Sequence, residues 1–245
     1  MQTRKILGQS VQYLLHLLFP RTCFACGCDL SAQENGPLCP LCTHQLKKPG
    51  PYICKRCGVV LKSGGAYCYA CRGSKVKKYT CKMIRSAFIF NTSSRALVHG
   101  LKYKQADYLA AFMGESMFKQ FAQYPELAEV NLIVPVPLHP RKLRKRGYNQ
   151  SELLARSFSL QLGLESNAAC LIRTRDTASQ TKLNRQGRLA NMSGAFACIA
   201  PGVVKGKTIL LIDDVATTGA TLEGCARALR QAGAKKVLAY TFARE

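Results

Sequence analysis

The 245-residue chain carries 36 Lys and Arg against 13 Asp and Glu, a formal charge of +23 at pH 7, with 13 cysteines and no tryptophan. Such a length holds one core of moderate size and a small appendage. The charge exceeds what solubility requires and points to a polyanionic partner, nucleic acid ahead of an anionic membrane. No apolar run is long enough to cross a bilayer, and no small-residue cleavage site follows the first residues, so a cytoplasmic chain is expected. The charge is also unevenly spread. No Asp or Glu occurs between Glu34 and Asp107, a stretch with fourteen Lys or Arg, and a second acid-free stretch runs over residues 177–212.

Over residues 4–19, Ile6, Leu7, Val11, Leu14, Leu15 and Leu18 recur at helical spacing, and Pro20 stops the pattern. We read residues 1–20 as an amphipathic helix that packs on its own chain. Docking on a partner and peripheral membrane contact are the alternatives.

Residues 21–80 hold a repeat. Cys23 and Cys26 are followed twelve residues later by Cys39 and Cys42; after a gap of eleven come Cys54 and Cys57, and ten residues on Cys68 and Cys71. A Cys-x-x-Cys pair places two thiolates at the bite of one tetrahedral ion, and two pairs close a four-thiolate shell, structural rather than catalytic. In a reducing compartment paired cysteines mean metal rather than disulfides. The local repeat argues that each unit pairs with itself, giving a double zinc ribbon. Cross-pairing, or a single zinc, is the alternative. Few apolar side chains lie between the knuckles, so metal binding is expected to supply much of the local folding free energy. Cys28 and Cys81 fall outside the pattern, and Cys170, Cys198 and Cys225 read as small core residues.

From residue 84 the pattern alternates strand and helix. Residues 86–90 are strand-like, Ser93 or Ser94 is the expected N-cap of a helix carrying Leu97 and Leu101, and a second helix runs over about residues 107–123. Residues 132–136 form a strand whose ladder Pro135 is expected to end. A basic loop follows, with Arg141, Lys142, Arg144, Lys145 and Arg146, then a helix from Ser151 to its stop at Gly163. Residues 168–172 suggest a strand, residues 180–191 a short polar and basic helix, and residues 195–199 an edge pair.

The segment from Thr208 to Leu222 organises the rest. An apolar run without alternation, Ile209 to Ile212, reads as a strand buried on both faces and ends in Asp213 and Asp214. Ala216, Thr217, Thr218, Gly219, Ala220 and Thr221 then supply amides and hydroxyls at a helix start, which makes an anion cradle. Two carboxylates beside it suit diol hydroxyls or a bridging cation. Residues 237–242 form a last strand. The fold class expected for residues 84–245 is α/β, a mostly parallel sheet with helices on both faces, in which ligands bind beyond the carboxyl ends of the strands.

Residues 209–222 resemble the phosphoribosyl pyrophosphate (PRPP) signature of type I phosphoribosyltransferases. The whole chain is similar to the ComF/ComFC family of competence proteins, on the double zinc ribbon, Leu101-Lys102-Tyr103, residues 132–140 and Arg146-Gly-Tyr-Asn-Gln150. The resemblance implies that Asp213 and Asp214 contact the ribose hydroxyls and residues 216–221 wrap the 5′-phosphate. It makes Leu101 and Lys102 a pyrophosphate loop, sometimes with a strained non-proline cis bond. Arg144, Lys145 and Arg146 belong to a mobile loop over the diphosphate, and Mg²⁺ accompanies PRPP. Lys102 and that loop would stabilise leaving pyrophosphate. Many purine enzymes place a carboxylate where this chain has Thr217, so no general base is apparent; active pyrimidine-type relatives also have Thr. The family is implicated in natural transformation, beside a DNA-translocating helicase that brings in single-stranded DNA. An enzyme transferring phosphoribose and a PRPP-regulated DNA-binding module are both compatible with these residues.

Overall fold

The computed structural model describes residues 19–72, 79–176, 192 and 194–245. The expected helices over residues 4–19 and 180–191 lie outside the described residues, apart from Phe19. At the centre is a four-stranded parallel sheet in the order β1-β6-β5-β2, with β1 at Met83–Ile89, β2 at Leu132–Pro135, β5 at Thr208–Ala216 and β6 at Lys236–Arg244. Ser166 adds a parallel bridge to Ile133 outside β2. A separate antiparallel pair is made by β3 at Leu171–Arg173 and β4 at Phe196–Cys198.

Strand β5 shows why the sheet forms here. Its aliphatic run Ile209 to Ile212 is fully buried, and the two-residue period divides these four residues between two cores. Leu210 and Ile212 join Tyr240, Phe242, Leu101, Met113 and Phe158 on one face. Ile209 and Leu211 join Val237, Ala239, Leu222, Cys225 and Leu229 on the other. A face buried this way contributes about 1.5–3 kcal/mol per large aliphatic side chain. The first face is covered by α2 at Thr92–Tyr103, α3 at Leu109–Phe121 and α5 at Gln150–Leu162; the second by α7 at Ala220–Gln231 and the β3–β4 pair. Helices on both faces of a parallel sheet were expected, and the strands bear this out.

Several local expectations change. The N-cap of α2 is Asn91, whose side chain accepts from the Ser94 amide while Ser94 Oγ accepts from the Asn91 amide. Ser94 is thus the third helical residue of a capping box, a role that spacing from the apolar positions alone does not separate from a cap. Residues 140–146 are not a loop. His139 caps and Pro140 opens a short helix α4 at Pro140–Arg146, which Gly147 ends at φ 86°. No cis peptide bond occurs among the described residues, so Leu101 and Lys102 are joined in trans. The remaining short helices are α1 at Pro40–His44 and α6 at Pro201–Val204.

The cysteine-rich segment has little core of its own, yet it is not held by metal alone. Leu30, Leu38 and Leu46 enter the same core as Leu97 and Leu101, and the rim of Phe24 fills the notch left by Gly100 on α2. Lys47 and Gln45 of this segment accept hydrogen bonds from the Ile89 amide and the Asn91 side chain at the sheet edge.

Candidate ligand site at the carboxyl edge of the sheet

On the β2 side the ladder stops at Pro135, whose partner is Ile212, apart from one further bond from the Val136 amide to the Ile212 carbonyl. Strand β5 continues against β6 as far as Ala216. Asp213 and Asp214 are therefore inside the strand rather than at its end, with one flank uncovered where β2 has finished. This geometry buries two adjacent acids, 8% and 2% exposed, at a sheet edge.

Each acid has a different partner. Asp213 Oδ1 accepts from Ser151 Oγ at 2.8 Å and from the Asp214 amide at 2.9 Å. Asp214 Oδ1 lies 2.8 Å from Nζ of Lys102 at the end of α2, whereas Oδ2 of Asp214 is buried and has no hydrogen-bond partner among the described residues. Burial first, and then the neighbouring Asp214 charge, pushes the Asp213 carboxyl up to about 7. For Lys102 burial acts downward, but the charges of Asp214 and Asp213 outweigh it and hold its ammonium above the usual value. A buried carboxylate oxygen with an open coordination position is the kind of donor that a divalent cation or a sugar hydroxyl satisfies.

After Ala216 the chain turns. Gly219 stands at φ 77° as the N-cap of α7, a conformation that disfavours a side chain. Thr218 Oγ1 accepts from the Ala220 amide at 3.4 Å. Among the described residues the amides of Thr218, Gly219 and Thr221 reach no protein acceptor. These donors and the positive end of a twelve-residue helix follow within a few residues of the two acids in the chain.

The segment 146–151 ties the opposite wall together, and sequence reasoning had assigned only Arg146 of it a role. The Tyr148 hydroxyl donates to the Leu101 carbonyl at 2.6 Å and so fixes the residue before Lys102. Asn149 caps α5 and donates to the Val136 carbonyl at 3.1 Å, which brings Ser151 to Asp213. The Arg146 guanidinium lies 5.6 Å from the ring centroid of Tyr103 and bonds Gln150. Arg144 and Lys145 are exposed on α4, and among the described residues neither forms an ion pair with Asp213 or Asp214. Lys102, Asp213 and Asp214 are thus brought together, with the loop 216–221 following directly, while Arg146 is held over Tyr103, the residue after Lys102. Tyr148 and Asn149 lie in the segment 146–150 that carries the family resemblance, which gives them no role; nothing in the sequence singles out Ser151.

The cysteines form two groups, Cys23, Cys26, Cys39 and Cys42, and Cys54, Cys57, Cys68 and Cys71, each with its sulfurs within 4.8 Å of one another. Each repeat unit therefore closes on itself. Four thiols at that spacing fit a tetrahedral zinc ion. In the second group hydrogen bonding from Cys71 holds Cys57 at about 4 against its burial; in the first, burial raises Cys23 but backbone amides outweigh it to give about 6, and the Cys28 amide holds Cys26 down as well. Cys28 lies 3.3 Å from Cys26 at the edge of the first group. Cys170 and Cys225 are fully buried, as core residues, and Cys198 is half-buried. No helix among the described residues is long and apolar enough to cross a membrane.

Comparison with known proteins agrees with both halves. Residues 14–72 match the double zinc ribbon domain and residues 149–245 the phosphoribosyl transferase domain. The DNA utilization protein YhgH of Salmonella typhimurium is 28% identical over 93% of this chain and 99% of that protein. Competence protein F of Haemophilus influenzae is 27% identical over 91% of this chain and 96% of that protein. Competence protein ComFC of Bacillus subtilis is 29% identical over 84% of each. The chain is a double zinc ribbon joined to a phosphoribosyl transferase domain, and is homologous over most of its length to these proteins.

Proposed function

We propose that this chain, a homologue of the ComF-type competence proteins, binds PRPP at the carboxyl edge of its sheet and handles incoming single-stranded DNA in natural transformation. The observation that carries the ligand reading is Oδ2 of Asp214, buried and without a partner among the described residues, on a carboxylate paired with Lys102 two residues before the 216–221 turn. In this reading Asp213 and Asp214 take the ribose hydroxyls and a Mg²⁺ ion, the turn takes the 5′-phosphate, and Lys102 with Arg146 takes the diphosphate. Bound Mg²⁺ would neutralise diphosphate charge; the chain's own groups orient the sugar and exclude water around it. The zinc ribbon, residues 21–80 in this scheme, is a docking surface, and the helicase that moves the DNA is its proposed partner. A cytoplasmic location, at the inner face of the membrane where DNA arrives, follows from that role.

The DNA reading rests on charge. Arg141, Arg144 and Lys145 are exposed along α4, on a chain of net charge +23. The test is a titration of zinc-loaded protein with PRPP and Mg²⁺ by calorimetry, alongside Lys102→Ala and Asp214→Asn. Binding by the wild type and its loss in both variants is expected; a wild type that takes up no PRPP sinks the ligand reading. Labelled PRPP offered with nucleobases, amines and DNA ends then asks whether any acceptor consumes it. For DNA, affinity for a single-stranded oligonucleotide is followed against salt. A slope near zero ends that reading, since each phosphate contact should contribute about −0.7 to it.

A further inference from the structure

Arg244, near the end of β6, is 5% exposed and joins two parts of the molecule that no motif connects. Its Nε donates to the carbonyl of Cys57, a cysteine of the second group, at 2.9 Å. Its Nη1 donates to the Ala216 carbonyl at 2.7 Å and to those of Thr217 and Glu245. One guanidinium thus takes the first carbonyls of the phosphate turn in one hand and the second cysteine knuckle in the other. The fixed, planar fork makes this a rigid spacer, which a lysine cannot reproduce.

Two further contacts run in parallel. The Ile84 amide donates to the Arg56 carbonyl of the same knuckle at 2.7 Å, and Ile84 Cδ1 would lie 2.9 Å from a Cβ built on Gly219. Glu223, in the first turn of α7 and 3% exposed, accepts the amides of Thr80 at 2.8 Å and Cys81 at 3.1 Å, in the segment that follows the ribbon. The space left between knuckle and turn is about 20 Å³, lined among others by Cys57, Cys71, Tyr79 and Thr218. That holds about one water, so the two parts pack directly.

We propose that Arg244 is a positioning residue for the phosphate turn, and that metal occupancy of the second four-cysteine group sets how firmly that turn is held. With the knuckle closed on its ion, the Cys57 carbonyl is fixed and Arg244 presents a fixed pair of donors to Ala216 and Thr217, aiming the following amides outward. With the knuckle open, the guanidinium loses one anchor and the turn loosens.

The experiment is amide exchange read by mass spectrometry on the full zinc-loaded chain, comparing wild type, Arg244→Met and Arg244→Lys, each with and without metal removal by a chelator. Arg244→Met should raise exchange over residues 216–221 roughly tenfold or more, the scale of a charge-assisted hydrogen bond, with α3 unchanged. Removing metal from the wild type should do the same, and removing it from Arg244→Met should add nothing further. A wild-type turn indifferent to metal, or two effects that multiply, overturns the proposal. If Arg244→Met fails to fold, the wild-type and Arg244→Lys arms decide it. A calorimetric arm, which rests on the PRPP reading, uses ribose 5-phosphate and inorganic pyrophosphate. Arg244→Lys should weaken the first several-fold and leave the second unchanged, whereas equal loss of both contradicts a role confined to the turn. A wild type that binds neither ligand defeats the PRPP reading, while the exchange data still decide the coupling.

Discussion

The ammonium of Lys102 lies 2.8 Å from Oδ1 of Asp214, so the two charges that a diphosphate and a cation would engage separately already engage each other. Lys102 is 22% exposed and Asp214 2%, and removal of the lysine strands a buried carboxylate. Lys102→Ala is expected to cost about 2–3 kcal/mol, at the low end for a buried pair because the lysine is not wholly desolvated. Adding Asp214→Asn should recover most of that loss. Urea unfolding of the four proteins in a double-mutant cycle measures the coupling; a coupling within error of zero would show that the pair is screened as if exposed.

Asp213 gives a pH dependence of defined sign. Its folded-state value of about 7 lies above the unfolded carboxyl, so the native chain binds that proton more tightly than the unfolded one. Its contribution to stability is fully present below about pH 4 and is lost as pH rises through about 7, with a limiting slope of about 1.4 kcal/mol per pH unit. Asp213→Asn should flatten that decline. Binding of a divalent cation requires the carboxylate and should run the other way, strengthening through about pH 7. Unfolding free energies measured across this window in wild type and Asp213→Asn, with cation titrations at each pH, test both signs.

Tyr148→Phe removes one hydroxyl and leaves the packing of the ring. The 2.6 Å bond to the Leu101 carbonyl is lost, which should cost about 1 kcal/mol of stability. Because this bond fixes the residue before Lys102, affinity for pyrophosphate should fall several-fold, with zinc content unchanged and ribose 5-phosphate affected less. Equal weakening of both ligands would argue for a general loosening rather than a local one.

Gly100→Ala tests how the first ribbon docks. A Cβ there would stand 2.3 and 2.5 Å from the Phe24 ring and 2.8 Å from Leu109 Cδ1. The helix gains about 1 kcal/mol from the substitution, which overpacking of about 1–3 kcal/mol opposes. A net loss in melting temperature is expected, together with faster zinc release from the first group in a chromogenic chelator assay. Phe24→Leu in the same chain should restore both.

Local spacing carried a great deal of this. Cys-x-x-Cys pairs, a run of aliphatics ending in Asp213 and Asp214, and Gly219 before a helix each act within a few residues, where chain geometry follows from residue type. Metal shells, the buried strand and the N-terminal amides of α7 were therefore readable in the sequence. The structure corrected what depends on competition between neighbours, such as Asn91 over Ser94 as the cap, or α4 in place of a loop once His139 and Pro140 supplied its start. The site's walls were decided by contacts between distant positions: Tyr148 with Leu101 across 47 residues, Ser151 with Asp213 across 62, and Arg244 with Cys57 across 187. Such pairs leave no periodicity behind, because hydrogen bonds of this kind depend on where the sheet and helices bring the backbone. Only the packed sheet decides that Asp214 is buried with one oxygen unpartnered among the described residues, and that the second four-cysteine group rests against the turn that follows it.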